Sequence, residues 1–194
     1  MLAVVGWTAI GLLGSLVSLK RGERAKAVHG ARWIGGVWIV YLAVLVGVSL
    51  LQPQKVVPLG KDQCYDDMCF AVINAEQVPV YAGRDQSGDG SLLLRISIRV
   101  TNKGRKAQSE GLIQAYIVDG QGRRWEPLPG LTGVRLTAKV AGGDSVMSEP
   151  VFKVAADASG LALVFTHGHW QPGVLVIGAS DSWWHKKTVV ALGF

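Results

Sequence analysis

Ser91-Leu92-Leu93-Leu94-Arg95-Ile96-Ser97-Ile98-Arg99-Val100-Thr101 puts Leu92, Leu94, Ile96, Ile98 and Val100 in one apolar row and Arg95, Ser97 and Arg99 in the opposite row. A period of two sustained over that length specifies a β-strand with one dry and one wet face. Outward from this stretch the same pattern predicts strands at 69–75, 78–82, 112–118, 123–126, 133–140, 150–154, 161–166, 174–178 and 188–192. Turn-forming groups separate them: Ser87-Gly88-Asp89-Gly90, Asn102-Lys103-Gly104, Asp119-Gly120-Gln121-Gly122, Pro129-Gly130, Gly142-Gly143-Asp144 and Gln171-Pro172-Gly173. After residue 60 no helical period outlasts two turns. Short strands at this spacing specify an all-β sandwich of about seven to nine strands.

The residues before that domain obey a different solvent. Residues 2–19 and 33–51 carry no charge, and at 1.5 Å per residue each is roughly 27–29 Å long, close to a hydrocarbon core of about 30 Å. Trp7, Trp33, Trp38 and Tyr41 are the aromatic residues of these segments, suited to headgroup depth near a span's end. Between the segments, residues 20–32 hold Lys20, Arg21, Arg24, Lys26 and Arg32 against Glu23 alone, with His29. That excess assigns the connection to the cytoplasm and both ends of the hairpin to the outside. A cleaved signal peptide has its positive charge before the apolar run; here the charge follows it, which favours a retained helix. Neither span contains an ionisable residue, so the chain alone is not expected to form an ion or proton pathway. Gly11 and Ser15, and likewise Gly14 and Ser18, are four residues apart, placing small residues where another helix can approach, although glycine is also simply common in membrane helices.

The expected organisation is therefore a membrane-anchored all-β protein. A transmembrane helical hairpin (1–52) and a linker (53–62) precede an immunoglobulin-like β-sandwich (63–194) on the periplasmic or extracellular side of the inner (plasma) membrane. The formal charge of +6 belongs mostly to the anchor. Residues 1–59 hold six basic residues against one acidic, leaving 14 basic and 13 acidic residues in 60–194. A nearly neutral domain lacks the basic face that neutralises phosphates, which excludes nucleic acid as a partner.

The strand-rich stretch Leu92–Asn102, the hairpin Ala115-Tyr116-Ile117-Val118-Asp119-Gly120, and Gly143-Asp144 followed by Val151-Phe152-Lys153-Val154 resemble the immunoglobulin-like domains of the DUF4352 type. Leu161–Phe165 and the Ile177–Leu192 end fit the same pattern, so the resemblance covers residues 69–192. It implies an extracytoplasmic domain attached to a membrane helix or lipid anchor. The two-span hairpin departs from the simplest single-anchor arrangement.

Cys64 and Cys69 are the chain's two cysteines. In an oxidising compartment a local disulfide is the expected state. Four intervening residues do not match the C-x-x-C redox spacing, and two thiols beside Asp66 and Asp67 with no suitably placed His match a structural zinc site poorly. His167 and His169 would share a face if strand continued, with His185 or Asp181 as a third ligand. Gly168, Trp170 and Pro172 instead suggest loop or rim histidines, so no metal is assigned. Ser180, Asp181 and His185 are residue types of a nucleophilic triad, but no G-x-S-x-G elbow accompanies them. Trp183 and Trp184 point to opposite faces of an extended segment beside Lys186 and Lys187, which suits a partner surface or the headgroup zone. Asp85 and Asp89 lie in a stretch that lacks the terminal Glu of a calcium loop and reads as a polar turn.

No catalytic constellation and no cofactor motif is present, so no enzyme activity is expected. Two functions fit these features. One is an accessory subunit in contact with membrane lipid and with other integral membrane protein subunits, as in respiratory, photosynthetic, transport or cell-envelope assemblies. The other is a stand-alone membrane-tethered binding or sensing module.

Overall fold

The computed structural model describes residues 2–81, 84–85, 90–130, 133–167, 175–177 and 184–194. The chain divides into two compact units, one of residues 1–53 with 171–186 and one of residues 54–170 with 187–194.

In the first unit, helix α1 (Leu2–Lys20) and helix α2 (Arg24–Leu51) are joined by a turn in which Gly22 takes a φ of 77°. Helix α2 starts at Arg24 rather than Trp33, so the expected 20–32 connection is mostly helix. The charge-free window marks where side chains can meet lipid, whereas the helix itself is favoured further back by Ala25, Ala27 and Ala31. Its 28 residues span roughly 42 Å, and it is long and apolar enough to cross a membrane. The helices run antiparallel. Trp38 Nε1 donates to Thr8 Oγ1 at 3.0 Å, and Ile34 lies over Gly11. A Cβ built on Gly30 would meet Ser15 Oγ at 2.8 Å. Small residues at these crossing points let the two backbones approach.

The second unit is built from twelve strands among the described residues: β1 (Val56–Val57), β2 (Gln63–Tyr65), β3 (Met68–Gln77), β4 (Val80–Tyr81), β5 (Arg84–Asp85), β6 (Ser91–Asn102), β7 (Gln114–Val118), β8 (Arg124–Trp125), β9 (Ser145–Ser148), β10 (Val151–Ala155), β11 (Ala162–Thr166) and β12 (Val189–Ala191). One sheet has the order β1-β12-β11-β7-β8, and its β1–β12 pair is parallel. The other has the order β10-β6-β3-β2, with β9 also on β6, and β4 and β5 form a separate ribbon. Phe70, Val72, Leu94, Ile96, Ile98, Val100 and Phe152 from one sheet share a single core with Ala115, Ile117, Leu163, Phe165 and Val190 from the other. The result is a mixed-sheet, sandwich-like domain. The alternation in β6 is realised as read, because Leu94, Ile96, Ile98 and Val100 are fully buried while Arg95, Ser97 and Arg99 are not.

Three expected features differ. Residues 133–140 form no strand; only Gly133 and Val140 make isolated bridges, to Ser148 and Gln108. Residues 175–177, the described part of the expected 174–178 strand, carry none. Within the expected 53–62 linker, Val57 is 3% exposed and packs into the main core, because β1 adds an edge to β12.

Two polar knots hold the loops. Asn102 occupies the inward register position after Val100 and is completely buried. Its Nδ2 donates to Lys106 O (2.8 Å) and Val140 O (2.9 Å), while its Oδ1 accepts from Gly104 N (2.9 Å) and Gln108 Nε2 (3.0 Å). Four partners saturate the amide, so its burial carries little penalty. In the β7–β8 hairpin, Asp119 accepts from the backbone N–H of Gln121 and Arg123 and pairs with Arg123 Nε at 2.7 Å, and Arg123 also reaches Asp157.

Burial pushes the Asp119 carboxyl up, but the Arg123 side chain and the two backbone donors outweigh it and hold the group below its ordinary value of 3.8. A carboxylate with a depressed folded pKa adds stability above its unfolded pKa of about 3.9 and loses it as pH falls through the lower folded value. Acid titration of thermal stability is expected to show wild type more stable than Asp119→Asn at pH 6. The gap narrows once pH drops below about 4.

Candidate functional site

The cysteine pair sits where β2 turns into β3. Cys64 and Cys69 face each other in the ladder with Cα atoms 3.9 Å apart and form a disulfide. Asp66 supplies the left-handed φ of 50° at the two-residue turn, a conformation that Asp tolerates better than most side chains. Asp62 lies beside the pair, salt-bridged to Lys103 at 2.8 Å and Arg99 at 3.5 Å. The Lys103 hydrogen bond, aided by Arg99, holds the Asp62 carboxyl below its ordinary value against partial burial. Donor atoms of Asp62, Cys64 and Cys69 lie within 4.8 Å of one another, but the sulfurs are bonded to each other and offer no thiolate to a metal. The pair therefore pins the start of the domain. Alkylation of the full chain is expected to label neither cysteine before reduction and both after it. Cys64→Ser with Cys69→Ser is expected to cost only about 2 kcal/mol in urea unfolding, because the closed loop is short.

His167 directly follows β11 in the expected loop position, with its side chain tucked inward. Its side chain is 7% exposed, its Nε2 is 3.4 Å from Glu110 Oε1, and the ring meets Tyr65 edge-on at 4.3 Å between centroids. Its Nδ1 is enclosed with no hydrogen-bond partner among the described residues. Glu110 carried no sequence signal, since it stands in an irregular loop far from His167 in the chain. His169, Asp181 and Trp183 lie outside the described residues, as do Asp89, Trp170 and Ser180.

Trp184 is 57% exposed and takes a φ of 61°, so the extended geometry expected there gives way to a turn. Lys186 is exposed, and Lys187 Nζ donates to Thr166 Oγ1 at 3.4 Å. His185 is half-buried, with no hydrogen-bond partner for Nδ1 among the described residues.

The small-residue face of α1 divides in two. Gly11 and Ser15 face α2 of the same chain, with a would-be Gly11 Cβ only 3.0 Å from Ile34 Cδ1. Gly14 has nothing within 4 Å, and its neighbours Leu13 and Leu16 are 63% and 56% exposed. Ser18, four residues beyond Gly14, is half-buried. In the N-terminal half of α2, a pocket of about 560 Å³ has His29, Arg32, Trp33, Gly36, Val37 and Val40 as its described lining. A hollow of about 230 Å³ in the β domain, beside Pro127, Arg135 and Pro150, is the smaller of the two.

The helices and sheets together define a membrane-associated β-domain protein. No protein-family model matches the chain, and no curated protein matches its sequence. Its structure is similar to that of an uncharacterised β-sandwich protein from Clostridium difficile, at 13% identity and a TM-score of 0.47 over 73% of this chain and 95% of that one. The secreted protein MPT63 of Mycobacterium tuberculosis gives 13% and 0.47 over 62% and 98%, and the yjhA protein of Bacillus subtilis 15% and 0.43 over 70% and 98%. No family model bears out the likeness to DUF4352 domains read from the sequence, and the domain itself is sandwich-like.

Proposed function

We propose that the chain is a non-enzymatic accessory subunit of a larger membrane complex: α1 and α2 dock in the membrane against other integral membrane proteins, and an immunoglobulin-like domain is presented on the outer face. The observation that carries this reading is the open side of α1. Helix α2 occupies the Gly11 and Ser15 side, while Gly14 leaves a flat strip between exposed Leu13 and Leu16. A glycine strip lets a second backbone approach closely and gains packing that lipid chains do not supply as well.

Both helices cross the membrane in this reading. The cluster Lys20, Arg21, Arg24, Lys26 and Arg32 stays in the cytoplasm, and the Cys64–Cys69 disulfide supports an oxidising outer location for the domain. The test is affinity purification of the full chain in mild detergent with identification of bound proteins. Gly14→Leu is expected to reduce an integral membrane partner at least tenfold. A partner level unchanged by Gly14→Leu contradicts this docking face.

A further inference from the structure

We infer that the pocket on α2 is a binding site for one anionic phospholipid, its phosphate held at Arg32 and His29 and an acyl chain lying along Gly36, Val37 and Val40. The inference needs only that α2 crosses the membrane and is independent of the docking reading.

Position along the helix comes first. Arg32 is the last charge before the charge-free run 33–51, and α2 extends roughly 13 Å beyond that run toward its N-terminus. Arg32 therefore sits where hydrocarbon meets headgroups, with Arg24 and Lys26 further out in the polar layer. Residues 29, 32, 33, 36, 37 and 40 follow the three-and-four spacing that places them on one helix face. The lining consequently changes along its length from cationic to apolar, as a phospholipid does.

Chemistry selects the headgroup. Arg32 has no ion pair or hydrogen bond among the described residues, and its planar guanidinium matches two phosphate oxygens at once. Trp33 Nε1 donates to His29 Nε2 at 3.0 Å, which leaves the proton of a neutral His29 on Nδ1, a donor for a phosphate oxygen. The same bond holds the indole at the interface depth that tryptophan favours. Lys20, Arg21, Arg24 and Lys26 add a positive field that favours a net negative headgroup over a zwitterionic one.

The shape selects a lipid over a soluble anion. The pocket volume of about 560 Å³ falls within the range of small-molecule sites, and beyond Arg32 its described lining is apolar. Gly36 has nothing within 4 Å of a would-be Cβ, so a chain can lie against the helix backbone there. A larger side chain at that position would occupy the path.

The experiment uses the full chain in nanodiscs of equal phosphatidylglycerol and phosphatidylcholine with identical acyl chains, released and weighed by native mass spectrometry. Phosphatidylglycerol is expected to be retained over phosphatidylcholine. Arg32→Gln should lower that retention roughly fivefold, and Arg32→Lys, which keeps the charge but loses the two-pronged guanidinium, should restore only part of it. Gly36→Leu should lower it with Arg32 intact, while excess glycerol phosphate displaces nothing. Equal retention of the two lipids, unchanged retention in Arg32→Gln, or displacement by glycerol phosphate would each overturn the inference. Circular dichroism confirms that each variant remains helical before it is scored.

Discussion

Asn102→Asp is expected to lower the unfolding temperature of the β domain by about 10 °C, corresponding to a loss of about 3–4 kcal/mol. The substitution keeps the size of the side chain but removes both Nδ2 donors and turns an oxygen toward the carbonyls of Lys106 and Val140. Either the carboxylate is buried against two acceptors or it takes a proton at a cost in free energy. The loops at 103–108 and 140–144 lose their common anchor, since Asn102 also bonds through its backbone to Asp144 O and Gly143 N. Asn102→Ala avoids the charge and is expected to cost about 2–3 kcal/mol. Thermal unfolding of the full chain followed in the near-ultraviolet measures both. Equal stabilities for Asp and wild type would remove Asn102 from its place at the centre of these loops.

Phe70→Ala is expected to destabilise the domain by about 3–5 kcal/mol, against at most about 0.5 kcal/mol for Ile73→Ala. Phe70 is fully buried, and its ring lies 5.6 Å from that of Phe165, which belongs to the other sheet. Deleting it opens a cavity between the sheets that neither strand can close by shifting alone. Ile73 lies three residues further along the same strand, where the β3–β6 register slips between Val72 and Asn74, and it is 39% exposed. Urea unfolding of the two variants separates a shared core from a stack of independent sheets. Similar costs for both would contradict the shared core.

The parts of the fold legible in the sequence were those where one signal ran for several residues. Strand β6 was readable because five inward apolar positions alternate without a break, and α2 because the apolar, uncharged run 33–51 follows Arg32. Asn102 was readable in principle, since it continues the even-numbered inward row, yet a polar residue next to Lys103-Gly104 looks like the first residue of a turn. Strand β1 was not readable: Val56-Val57 is too short to show a period, and its strand pairing is with Val189 and Val190, more than a hundred residues away. The start of α2 was misplaced because charge reports the solvent and not the backbone conformation. Strand β3 was read at 69–75 and runs from Met68 to Gln77, while the register shift between Val72 and Asn74 was not read.

Legibility of the candidate sites followed the same division. Cys64 and Cys69 are five residues apart and pair locally, so their disulfide could be read directly. Glu110 beside His167 could not, because no local pattern joins residues that distant. Gly11, Gly14, Ser15 and Ser18 were visible as small residues at helical spacing. Which of them face the chain's own second helix depends on the crossing of α1 and α2, and the contacts with Ile34 and Gly30 decide it.

The measurement that bears most directly on the subunit reading is the composition and mass of the particle that carries the full chain out of its native membrane in mild detergent. The account predicts a particle containing at least one other integral membrane protein in fixed ratio to this 20.7 kDa chain. A chain that leaves the membrane alone and monomeric, with its helices intact, would contradict it.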